Sequence, residues 1–114
     1  MTDSFDWHGS FAETRPKLDP GHPFHVVHRH GTMFTGLYAP APEDRQEPHR
    51  QDEVYVVVAG TARFWRPDGS TDVVGGDYLF VPAGMEHRFE AMSEDFAAWA
   101  IFWGPAGGEK DGGR

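Results

Sequence analysis

A chain of 114 residues is one domain by size, long enough to bury a single modest core and too short to hide a second catalytic domain. Its formal net charge of −8, with the basic residues scattered rather than striped, excludes the electrostatic footprint of a nucleic-acid binder and argues against anionic membranes. The absence of cysteine excludes disulfides, thiolate metal sites and cysteine nucleophiles, so any metal must be held by nitrogen and oxygen.

No window approaches the apolar run that spans a bilayer, and the polar start Met1-Thr2-Asp3-Ser4 lacks the basic and apolar regions of a secretion signal, so a cytoplasmic location is expected. Fourteen glycines and nine prolines cut the chain into short segments, which favours many strands over long helices. Residues 1–23 are polar, with Trp7 and Phe11 as isolated anchors and Pro16, Pro20 and Pro23 breaking any helix; they read as an arm lying over the domain or a partner. Residues 24–103 read as the β domain. Phe24 to Tyr38 forms one long strand or two joined near Gly31, and Ala39 to Arg45 is a loop. Glu53–Ala59 and Thr61–Arg66 make a hairpin about Gly60, followed by the turn signal Pro67-Asp68-Gly69-Ser70. Short strands follow at Thr71–Val74, Tyr78–Val81 and Glu86–Ala91. The last, Phe96–Trp103, is apolar on both faces and so is expected to be covered twice. Residues 104–114 are glycine-rich and charged, the composition of a disordered tail.

Two separated stretches carry the chemistry: Glu47-x-His49-x-x-x-Glu53 with Gly60 seven positions on, and Gly76 through Pro82-x-Gly84-x-x-His87. Residues two apart on a strand share a face, which would project Glu47, His49 and Glu53 to the same side with Tyr55 and Val57, while His87 arrives from another hairpin beside Phe89. Imidazole nitrogen and carboxylate oxygen suit one divalent transition metal, whether iron, manganese, nickel, zinc or copper, and two histidines with one carboxylate leave positions open. Each residue also has a plainer reading. A lone histidine in a β protein is more often a surface or hydrogen-bonding group, Glu53 could be a solvated strand residue, and Glu47, ahead of Pro48, could point to solvent. His8, His22, His25, His28 and His30 read as structural or surface residues, with His28 and His30 as outside candidates for the pocket.

These stretches resemble the two motifs of the cupin superfamily. The first has the form His-x-His, three or four residues, Glu, six residues, Gly; the second is Gly, five residues, Pro-x-Gly-x-x-His, three residues, Asn. Both spacings match across residues 47–91, with two departures: Glu47 stands in the place of the first histidine and Ala91 in the place of the asparagine. The resemblance implies an all-β double-stranded β-helix, or jelly-roll barrel, of one domain, with a metal inside one mouth and often a homodimer formed by strand contacts. It implies His49, Glu53 and His87 as ligands by motif position, with Glu47 oxygen, water or substrate as the fourth. Two functions follow as expectations. One is an enzyme with dioxygenase-like, isomerase or lyase chemistry on a small organic substrate, with Tyr55 as a proton donor. The other is a non-catalytic module that binds a metal or small ligand.

Overall fold

The computed structural model describes residues 7–110. Short alternating segments punctuated by glycine produce eight strands: β1 (Phe24–His30), β2 (Met33–Tyr38), β3 (Asp52–Ala59), β4 (Thr61–Arg66), β5 (Gly69–Val74), β6 (Tyr78–Val81), β7 (Arg88–Glu90) and β8 (Ala97–Trp103). They form two antiparallel sheets, in the orders β1-β2-β8-β3-β6 and β5-β4-β7. This is the all-β jelly roll that the resemblance implies.

The core lies between the sheets and follows from strand parity. β3 turns Glu53, Tyr55 and Val57 inward, and β8 beside it contributes Ala98, Ala100 and Phe102. The smaller sheet answers with Ala62 and Phe64 from β4, Val73 from β5 and Phe89 from β7. Each such fully buried large apolar side chain contributes about 1.5–3 kcal/mol. One inward residue breaks the apolar pattern, and it is Glu53.

Three segments differ from the sequence expectation. The arm contains one helical turn, Phe11–Thr14, followed by a 3-10 turn over Arg15–Lys17; Ser10 caps it by accepting the Glu13 amide, so proline ends the helix rather than preventing it. The arm is laid against the larger sheet. Arg15 Nη1 donates to the Asp95 carbonyl at 3.1 Å, and a Cβ at Gly9 would sit 3.3 Å from Val27 and 3.4 Å from Trp99. The strand expected over Glu86–Ala91 is confined to Arg88–Glu90, which leaves His87 in the loop ahead of it. The segment expected to be a disordered tail is tied down as far as residue 110: Gly107 N donates to Arg50 O at 2.7 Å and Glu109 N to Asp52 Oδ2 at 2.9 Å. The polar start at Met1–Ser4, with the rest of residues 1–6, and the last four residues of that tail lie outside the described residues. Among the described residues no helix is long and apolar enough to cross a membrane.

Two backbone positions matter for the motifs. Gly60, which closes the β3–β4 hairpin, has φ +77°, and a Cβ there would meet Ser93 Oγ and sit 2.7 Å from Phe96 Cα. Ala91 has φ +50°. It stands where the second motif has asparagine, a residue that tolerates the left-handed region better than alanine does.

Gly60→Ala is therefore expected to destabilise the fold by about 2–3 kcal/mol, combining left-handed strain with overpacking against backbone. Gly31→Ala, whose φ is +57° but whose Cβ would meet nothing within 4 Å, is expected to cost only about 1 kcal/mol. Ala91→Gly should stabilise by about 0.5–1 kcal/mol, the relieved left-handed strain less the added backbone entropy. Urea denaturation of the three variants checks the ordering.

Candidate metal centre

The site is assembled from three places in the chain. Glu53 is the second residue of β3, His49 lies in the loop before that strand, and His87 immediately precedes β7. Two bonds stitch the loops together: Gly84 N donates to His49 O at 2.7 Å, and Ala83 N donates to Asp52 Oδ1 at 2.9 Å. These bonds make one place out of two distant motifs.

One ligand atom from each of His49, Glu53 and His87 lies within 4.8 Å of the others. His49 Nε2 is 3.5 Å and His87 Nε2 3.3 Å from Glu53 Oε1. Donor atoms about 2.1 Å from a shared ion lie about 3.0 Å apart at right angles and about 3.4 Å apart in a tetrahedron, so these separations fit a common cation. Glu53 is 1% exposed, and neither of its oxygens has a hydrogen-bond partner among the described residues. A buried carboxylate left this way is costly unless a cation compensates it. The residues present therefore fit a divalent metal, and they could hold one.

The protonation states agree with that role. His87 Nδ1 lies 2.8 Å from the Met85 carbonyl, which as an acceptor fixes the proton on Nδ1 and turns the Nε2 lone pair toward Glu53. Burial, and then the neighbouring His87, pushes the His49 imidazole down to about 4, so it is neutral near pH 7, as a ligand must be. Burial also pulls His87 down, but Glu53 and the Met85 carbonyl outweigh it and the net direction is up. Burial raises the Glu53 carboxyl, partly opposed by His87. Both shifts favour protonation of the His87–Glu53 pair when no metal is bound.

His49 and Glu53, but not His87, line a cavity of about 940 Å³ together with Phe24, Phe34, Tyr38, Tyr55 and Phe102. The His49 ring packs edge-on against Phe102, with centroids 4.8 Å apart. The exposed Arg45 and Arg50 line the cavity as well.

The structure does not bring Glu47 into this group. Its side chain is exposed and does not line the cavity. The stretch from Glu47 to Arg50 is not a strand, so the two-residue parity that would align Glu47 with His49 does not apply. Tyr55 is at the site: its hydroxyl donates to Gln46 Oε1 at 2.7 Å and lies 3.1 Å from His87 Nε2. Burial, followed by Glu53, raises its phenol well above the ordinary value, so it stays protonated and acts as a hydrogen-bond donor. His28 and His30 do not line the cavity.

Sequence reasoning missed Asp44 and Gln46. Asp44 accepts from the Tyr38 hydroxyl in a very short hydrogen bond, from Gln46 N and Nε2 at 3.1 and 2.7 Å, and from Phe89 N at 2.9 Å. Gln46 Oε1 lies 2.9 Å from His49 Nε2. The one signal available was the aspartate two residues ahead of Gln46, the pattern of an Asx turn.

The jelly-roll order and the paired loops are what a family comparison should test. Residues 34–103 match the model of the cupin domain. The chain is a cupin. An uncharacterised protein of Streptomyces coelicolor is 42% identical over 79 residues, spanning 68% of this chain and 75% of that protein. Among solved structures, this cupin resembles a Rhizobium leguminosarum protein of unknown function (TM-score 0.73, 17% identity, 86% of this chain and 96% of the other). It also resembles a cupin-2 domain protein from Shewanella frigidimarina (TM-score 0.67, 20% identity, 81% and 90%). At these identities the structural likeness shows the fold; the chemistry must come from this chain's own residues.

Metal binding to this cupin should release a proton and weaken on acidification. A neutral imidazole is required, and His87 is raised, so the loss is expected to begin above the ordinary histidine value of about 6.5. From the imidazoles, a second proton enters only near the His49 value of about 4. Titrating Zn²⁺ between pH 5 and 8 in buffers of different ionisation enthalpy measures both the slope and the proton count.

Proposed function

We propose that this cupin is a metal-dependent enzyme that binds one divalent transition metal through His49, Glu53 and His87 and converts a small organic substrate held in the adjoining cavity. The observation that carries the reading is the buried Glu53 carboxylate, with no hydrogen-bond partner among the described residues, facing two imidazole nitrogens at the wall of an accessible cavity. When bound, such a metal supplies Lewis-acid chemistry with open positions, suited to dioxygenase-like, isomerase or lyase reactions. The chain's own contributions are separate. Phe24, Phe34 and Phe102 offer an apolar, water-excluding wall for a hydrophobic or aromatic substrate. Tyr55 holds a proton at the floor, next to His87 and Gln46.

A second reading, a module that binds without turnover, is supported by Tyr55 itself. A general acid works best when its pKa is near the working pH, and this phenol is held well above its ordinary value.

We also propose a homodimer through the outer face of the larger sheet. There Val54, Val56, Ile101 and Trp103 form a half-buried apolar stripe, while Phe80 and Tyr78 at its edge are 42% and 68% exposed. The arm meets this sheet at Trp99 and Val27, where Gly9 packs. Light scattering should give twice the chain mass, and Tyr78→Lys with Phe80→Glu should return the monomer.

Metal content of protein purified without added metal, followed by oxygen uptake and product analysis against phenols, enediols and keto acids, separates the two functional readings. Stoichiometric metal with substrate-dependent turnover supports the enzyme; stoichiometric metal with ligand binding and no turnover supports the module. His49→Ala and His87→Ala are each expected to abolish metal retention with an unchanged far-ultraviolet dichroism spectrum. Glu47→Gln is expected to leave retention within about twofold, as an exposed residue outside the group should.

A further inference from the structure

The metal reading leaves one ligand position unexplained, because the residue that stands in the motif's first histidine position, Glu47, points away. Next to it in the chain, Gln46 does the opposite. Its amide Nε2 donates to Asp44 Oδ2 at 2.7 Å, which fixes the amide so that Oε1, not nitrogen, faces the site. That oxygen lies 2.9 Å from His49 Nε2, and Tyr55 donates to it at 2.7 Å. We infer that Gln46 Oε1 is a further ligand of the centre formed by His49, Glu53 and His87, taking the place that Glu47 leaves empty; the inference rests on the metal reading above.

The chemistry is that of two acceptors in contact. When His49 serves as a ligand, its Nε2 carries a lone pair rather than a proton, and a carbonyl oxygen 2.9 Å away carries lone pairs too. Two such atoms repel unless a cation sits between them, and about 3.0 Å is the separation of neighbouring donors on one ion at right angles. Asp44 makes the arrangement rigid. Besides the Gln46 side chain it holds the Gln46 amide, the Phe89 amide and the Tyr38 hydroxyl, so the loop bearing Gln46 is fastened to β7 and β2. A hard amide oxygen also leaves the site with a single carboxylate, so the charge balance differs little from that of a histidine in the same place.

The test uses Co²⁺ as the probe, bound to the full chain and to Gln46→Met, which keeps the side-chain length and removes the amide oxygen. Gln46→Met is expected to bind Co²⁺ at least about tenfold more weakly and to show a more intense, shifted visible absorption, the mark of a lower coordination number. Its metal-free thermal midpoint should stay close to that of the parent, since Asp44 keeps its other bonds. Should Gln46→Met fold poorly, Gln46→Ala is read by the same two measurements. A weaker affinity with an unchanged spectrum would make Gln46 a positioning residue for His49 and overturn the inference, as would an unchanged affinity. Failure of the parent chain itself to bind Co²⁺ or Zn²⁺ would instead overturn the underlying metal reading.

Discussion

Everything at the mouth of this barrel is arranged around one electrostatic constraint: a carboxylate, Glu53, placed on the inward face of a core strand with no hydrogen-bond partner among the described residues. Strand parity forces it inward, because Tyr55 and Val57 on the same face are part of the core and a slip by one residue would turn all three out together. The surroundings must therefore supply positive charge. His87 supplies it when protonated and a bound cation would supply it otherwise, and the loops have to be held close for the charge to be felt.

The other acids around the site show that this is not poor packing. Asp52, next in the chain, spends its oxygens on the Ala83 and Glu109 amides, and Asp44 accepts from Tyr38, Gln46 and Phe89. Both satisfy their lone pairs in full view of the same loops. A fold that can satisfy two carboxylates here and leaves the third bare has left it available for a ligand of higher charge than a hydrogen bond provides. The two satisfied acids are also what bring His49 and His87 to Glu53, since one holds the loop that carries Ala83 and the other holds β7 at Phe89.

This division explains what could be read from the amino-acid sequence. The strands, the hairpin at Gly60 and the inward placement of Glu53 follow from alternation and from turn glycine, both local signals. His49, Glu53 and His87 were legible through motif spacing. Glu47 was not, because the parity argument holds only on a strand and the residues before Asp52 are a loop; there a one-residue difference decides between solvent and site, and Gln46 faces the site. Asp44 was illegible for another reason. Its partner Phe89 is forty-five residues away, and nothing local in either segment announces the bond. The glycine-rich end misled in the same way: its composition is that of a free tail, while its backbone amides find Asp52 and Arg50.

The two imidazoles are not equivalent, and the difference bears on how the site loads. His87 is enclosed, faces Glu53 and has its other nitrogen committed to Met85, so it takes the first proton. His49 is partly exposed and its own burial and the charge on His87 hold it down, so it resists the second. Protonation is then sequential rather than shared. A metal-free site with one proton is electrically neutral across His87 and Glu53, and only that proton has to leave before all three ligands are available near neutral pH.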